Sequence, residues 1–117
     1  MRLNHLHLMV EDVQQSATFL ATYFGMTTFP GTRERLAVLT DDGGMILTLM
    51  QGRDHAYPRN FHIGFAQASR TAVNRLRARM VEDGHSPSEP TLAHAWSFYV
   101  TAPGGVMIEV LAPADSA

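Results

Sequence analysis

The sequence has no cysteine. Disulfides and thiolate metal sites are therefore both excluded. It has no lysine either: all nine basic residues are arginine, which reads as a compositional bias rather than a binding surface. No excess of positive charge exists, because the net charge is -2. That argues against nucleic acid or an anionic membrane as a partner. No apolar run is long enough to span a bilayer, and the N-terminus lacks the basic, apolar, small-residue pattern of a signal peptide. A soluble cytoplasmic protein is the expectation. What remains is ordinary: 117 residues, 45% apolar and 17% charged, enough for one domain over 1–117 with a modest core.

The first stretch, Leu3 to Val10, alternates, with Leu6, Leu8 and Val10 on one face and His5, His7 and Met9 on the other. Period two predicts a strand. Asp12 then caps a helix, with Gln15 three residues on as the partner of a capping box. Val13, Ala17, Leu20 and Phe24 form its buried stripe, and Gly25 is the stop. Three short strands are predicted next, at Met26–Phe29, Arg35–Thr40 and Met45–Met50, the last two joined by the hairpin turn Asp41-Asp42-Gly43-Gly44. Gln51 to Asn60 reads as a polar linker.

The pattern then starts again. Phe61–Ala66 is a strand. Ser69 caps a second helix with Ala72, Val73, Leu76 and Met80 on its apolar side, and Gly84 ends it. His85–Pro90, with two prolines, is an edge strand at most. Ser97–Thr101, the turn Ala102-Pro103-Gly104-Gly105 and Val106–Leu111 close the chain as a hairpin. Each half is thus strand, helix, three strands, with module one at about 1–51 and module two at about 60–113. The fold class is α+β, and the repeat disfavours a doubly wound parallel sheet.

Equivalent positions in the repeat carry the chemistry. His5 and His62 both lie near the start of a first strand, 62 − 5 = 57 positions apart, and Gly43 and Gly104 match at 104 − 43 = 61. The second offset also sets Thr48 against Glu109. Glu109 stands between Ile108 and Val110, where burying a lone carboxylate is costly without a positive partner. Taken singly, each of the three reads more simply as a core histidine or a surface glutamate. Together, two imidazoles and one carboxylate at repeat-related places are the ligand set of an open catalytic metal site for iron(II), manganese, nickel or zinc.

His5-Leu-His-Leu-Met-Val10-Glu-Asp12, the matching start of the second half and the final hairpin resemble the vicinal oxygen chelate superfamily. Its members include glyoxalase I, fosfomycin-resistance thiol transferases, bleomycin-binding proteins and type I extradiol catechol dioxygenases. The resemblance covers nearly the whole chain. It implies two tandem βαβββ modules whose mixed sheets form a cup around a metal, with His5, His62 and Glu109 as ligands. It further implies a small-molecule substrate and a homodimer.

Within the superfamily the residues discriminate. Thr48 stands where glyoxalase I has a fourth, glutamate ligand. No arginine follows Glu109, so the basic cluster of the thiol transferases is missing. The bleomycin-binding proteins have generally lost the ligands kept here. The stretch from His94 through Ser97-Phe98-Tyr99 to Glu109 is most similar to the extradiol enzymes. In those, a tyrosine ten positions before the glutamate bonds the catechol, and 109 − 99 = 10. The implied reading is an iron(II) enzyme of extradiol dioxygenase type acting on a catechol-type substrate, with Tyr99 orienting a substrate oxygen. Those enzymes place an acid–base histidine before the second ligand; Met45–Met50 has none, and His7 is the candidate substitute. A glyoxalase-type lyase or isomerase, and a metal-free binder of a small aromatic compound, are the alternatives. His55 and His85 read as solvated.

Overall fold

Alternation in the first strand becomes a buried and an open face. The computed structural model describes residues 1–53 and 56–117, so the reading of His55 lies outside the described residues. Contacts divide the chain into two compact units, one of Met1–Tyr57 with Pro103–Gly105, the other of Pro58–Ala102 with Val106–Ala117.

In the first unit, β1 (His5–Val10) precedes α1 (Val13–Phe24), β2 (Thr27–Thr28), β3 (Leu36–Thr40) and β4 (Ile46–Gln51). The sheet order is β1-β4-β3-β2, with β1 and β4 parallel and the other pairs antiparallel. Asp12 caps α1 by accepting a 2.9 Å hydrogen bond from the Gln15 N–H, an arrangement worth about 1 kcal/mol. Gly25 ends it at φ 65, a left-handed conformation that costs glycine little. Val13, Ala17, Phe19 and Leu20 are buried, whereas Phe24 is only part-buried. They cover the face made by Leu8, Val10, Leu47, Leu49, Ala37 and Leu39, all buried. Each fully buried leucine contributes roughly 1.5–3 kcal/mol of transfer free energy. His5, His7 and Met9 stay on the opposite, open face.

The second unit repeats this order with β5 (His62–Ala66), α2 (Arg70–Glu82), β6 (Thr91–Leu92), β7 (Ala95–Thr101) and β8 (Met107–Pro113). Its sheet runs β5-β8-β7-β6, again with the first pair parallel. Ser69 caps α2 through Ala72 N–H, and Val73, Leu76 and Met80 are its buried face. Both units are therefore βαβββ modules, and the registers agree. His5 pairs with Ile46 as His62 pairs with Met107, and His7 pairs with Thr48 as Gly64 pairs with Glu109.

One element moves. His85–Pro90 forms no strand; the edge strand is the two-residue β6 just after it. Pro87 and Pro90 offer no N–H, and between them Ser88 bonds to β7, its N–H donating to Tyr99 O and its Oγ accepting from Tyr99 N–H. His85 is part-buried rather than solvated, and its N–H bonds Met80 O.

Candidate functional site

Glu109 is buried, at 4% exposure, so its carboxylate does not point to solvent. On β8 the apolar Ile108, Val110 and Ala112 face α2, which leaves Glu109 on the other side of the sheet between part-exposed Met107 and Leu111. Its neighbour on β7 is Tyr99, directly opposite in the antiparallel ladder. Its neighbour on β5 is Gly64, which has no side chain to cover it. Oε2 of Glu109 is buried without a hydrogen-bond partner among the described residues. Such an orphaned acceptor costs about 1–3 kcal/mol, or more when charged.

The His62 ring reaches this carboxylate, with Nε2 at 3.3 Å from Glu109 Oε1. At its other end, Nδ1 lies 2.8 Å from the carbonyl oxygen of Asn60. A carbonyl only accepts, so Nδ1–H donates to it, and Nε2 is the ring nitrogen left facing the carboxylate, where a proton or a metal ion can be held between them. In the first unit, His5 has the same restraint: its Nδ1 is 2.8 Å from Asn4 Oδ1. Fixing one ring nitrogen through an oxygen is how ligating histidines are oriented. His7 is exposed on β1, on the His5 face and beside Thr48.

Tyr99 is part-buried and its ring meets the His62 ring edge-on, centroids 5.4 Å apart. Burial first, then the hydrogen bond to Glu109 and its negative charge, raise the phenol above the ordinary tyrosine value. Tyr99 therefore stays a hydrogen-bond donor throughout the neutral range.

His94 joins the group as well. It lies in the turn between β6 and β7, closed by Ala93 N–H to Ala95 O, and its Nε2 is 3.5 Å from Glu109 Oε2. The stretch resembling the extradiol enzymes begins at His94 but gave it no role, and a histidine in a short turn has no periodicity to read. Of the residues singled out from sequence, His62, Tyr99 and Glu109 thus come together in the second unit, while His5 and His7 sit on β1 of the first. Among the described residues no ready-made cluster of three His, Cys, Asp or Glu donors exists; two imidazoles instead approach opposite oxygens of one carboxylate.

The family model for the Glyoxalase/Bleomycin resistance protein/Dioxygenase superfamily matches residues 2–110. The chain belongs to this superfamily. A solved structure from Bacillus cereus, described as a possible glyoxalase, is 46% identical; the match covers 95% of this chain and 98% of that one, with a TM-score of 0.91. Lactoylglutathione lyase from Agrobacterium tumefaciens is 16% identical over 95% of this chain and 92% of that one, with a TM-score of 0.76. The oxidase ChaP-H2 is 22% identical over 99% and 97% of the two chains, with a TM-score of 0.75. These last two share the fold. No curated protein sequence matches the chain.

The superfamily generally uses a divalent metal. Glu109 offers hard oxygen donors, with Oε2 orphaned, and the restrained Nε2 of His62, a borderline nitrogen donor, faces its other oxygen. Without cysteine, the donor set suits iron(II), manganese, nickel or zinc.

Proposed function

We propose that this superfamily member is an enzyme that binds one divalent metal through His5, His62 and Glu109 and acts on a small oxygen-chelating substrate. The observation that carries the proposal is the buried Glu109 carboxylate with one oxygen unpartnered and the Nε2 of His62 turned toward the other. For His5, support comes from its equivalent place in the repeat and the matching Nδ1 restraint by Asn4. Iron(II) is the favoured ion and a catechol the favoured substrate class, with ring cleavage by molecular oxygen as the reaction. The ion, when bound, supplies Lewis acidity at the substrate oxygens and, as iron(II), the means of activating oxygen.

The chain's own residues supply orientation and proton handling. Tyr99 faces Glu109 across the β7–β8 ladder and remains protonated, so its hydroxyl donates to a substrate oxygen brought beside the carboxylate. Gly64 leaves that face of β5 bare and gives the substrate room. His7 is the proton acceptor in this reading, two residues along the same strand face from His5. A homodimer in the cytoplasm, with the sites shared between chains, completes the proposal.

Protein purified without added metal should be assayed for metal content, then reconstituted with iron(II), manganese, nickel or zinc separately. Oxygen uptake with a panel of catechols, in the iron form alone, is the expected result. The glyoxalase-type lyase is the second reading, favoured by the description of the 46%-identical Bacillus cereus structure. Turnover of a 2-oxoaldehyde with a thiol, without oxygen uptake, would select it. Absence of bound metal under every condition would leave neither standing.

A further inference from the structure

We propose that His94 is a protein ligand to the same metal, closing the site until substrate displaces it. This rests on the metal reading above and adds a donor outside the His5, His62 and Glu109 set.

The first observation is distance. His94 Nε2 stands 3.5 Å from Glu109 Oε2, and His62 Nε2 stands 3.3 Å from Glu109 Oε1. Both are longer than a good charge-assisted hydrogen bond, at about 2.7–2.9 Å. Both match two donors on one ion, which at bond lengths near 2.1 Å stand about 3.0–3.5 Å apart.

The second observation is the orphaned oxygen. Glu109 is buried, yet Oε2, the oxygen His94 approaches, has no hydrogen-bond partner among the described residues. A buried carboxylate oxygen left this way is suited to hold a cation. His62 faces the other oxygen, so the unpartnered one is on the His94 side.

The third is freedom. The His62 ring is pinned by Asn60 O and its side chain is 34% exposed, whereas that of His94 is 68% exposed and projects from a short turn. The pinned ring suits a permanent ligand and the exposed one a donor that can swing in and out.

The test uses the full chain loaded with cobalt(II), whose visible spectrum reports ligand number and type. Three variants, His94→Ala, His62→Ala and Glu109→Gln, are titrated with cobalt(II). The expected result is loss of binding in the last two. His94→Ala should lose about 10-fold in affinity with a changed spectrum, and added imidazole should restore that spectrum. His94 is exposed, so its removal leaves the fold intact, which thermal melting checks. Unchanged affinity and spectrum in His94→Ala, with the other two variants impaired, would overturn the His94 role and leave the metal reading intact. Weakened binding with an unchanged spectrum would also overturn it, since His94 would then act only through Glu109. Full binding in all three would overturn both.

Discussion

Gly64 and Glu109 are partners in the parallel β5–β8 ladder, and only one of them carries a side chain. The pair one repeat earlier is His7 and Thr48, a bulky ring beside a small hydroxyl. The two modules have thus distributed bulk oppositely at the same register. In the second, a bare strand position lies next to a buried carboxylate.

Substitution at Gly64 tests whether that bareness serves the site. A Cβ there would meet Leu111 Cδ2 at 3.5 Å and Glu109 O at 3.9 Å, ordinary contacts, and its backbone is not left-handed. Gly64→Ala should therefore fold and bind metal normally, with a small stability gain of about 0.4–1 kcal/mol from a stiffer unfolded chain. Gly64→Leu would lay a branched side chain over the carboxylate. Metal affinity about 10-fold lower or worse is expected, on the scale of disturbing a ligand shell, with melting temperature little changed. Equal affinity in both variants would make Gly64 a packing choice.

Glu109→Gln should move stability and binding in opposite directions. The carboxylate is buried and half unpartnered, so the metal-free protein bears its desolvation cost. An amide keeps the shape and removes the charge. Denaturant melts of metal-free protein should show a gain of about 1–2 kcal/mol, as when functional groups held at a cost to stability are replaced. Metal binding should fall steeply in the same variant. Loss of stability without metal would mean that the protein itself satisfies the carboxylate.

Tyr99→Phe should leave metal content and fold unchanged, because only a hydroxyl on a part-buried ring is lost. The kcat/KM for a chelating substrate should fall by about 10- to 100-fold, the scale of one hydrogen bond to a charged oxygen. Intact activity with a lowered melting temperature would assign the phenol to packing.

The turn between β7 and β8, which packs with the first unit, offers a control. Ser16 Oγ lies 2.6 Å from both Asp12 O and Pro103 O, and a Cβ on Gly104, whose φ is 99, would collide with that oxygen. Gly104→Ala should cost about 2 kcal/mol or more, from backbone strain and displacement of Ser16. Chemical denaturation measures this, and metal affinity in the folded fraction should be unaffected.

These cases show which parts of the molecule could be read in the chain. Both helices were legible because Asp12 and Ser69 cap them where apolar spacing changes from two to about 3.6. The repeat made the βαβββ order legible, and with it the equivalence of Thr48 and Glu109. Strand ends shifted by one or two residues, because side-chain pattern does not report where a ladder stops pairing. The last edge strand moved past Pro90, since prolines show where a strand cannot pair but not where pairing resumes. The group around Glu109 was half legible. His62 stood out by its place in the repeat, whereas the approach of His94 depends on how a turn carries a side chain back over the sheet.

A shared site makes the final prediction, and complementation is its test. Each sheet ends in a two-residue strand on one side and a five- or six-residue strand on the other, so main-chain groups are left at the margins. Leu3 and Met50 in the first unit, and Phe61 and Leu92 in the second, are large apolar side chains left exposed. Association with a second copy about a twofold axis is a common way to cover such surface. If His5 of one chain serves the Glu109 of the other, neither a His5→Ala nor a Glu109→Gln homodimer has a complete site. A mixed dimer regains one of its two sites, because the intact His5 and the intact Glu109 come from different chains. Coexpression of the two variants under separate tags should then restore tight metal binding to the doubly tagged species, at about half the wild-type stoichiometry. A doubly tagged dimer that binds no metal, or a monomer that binds one ion per chain, would assign every ligand of a site to a single chain.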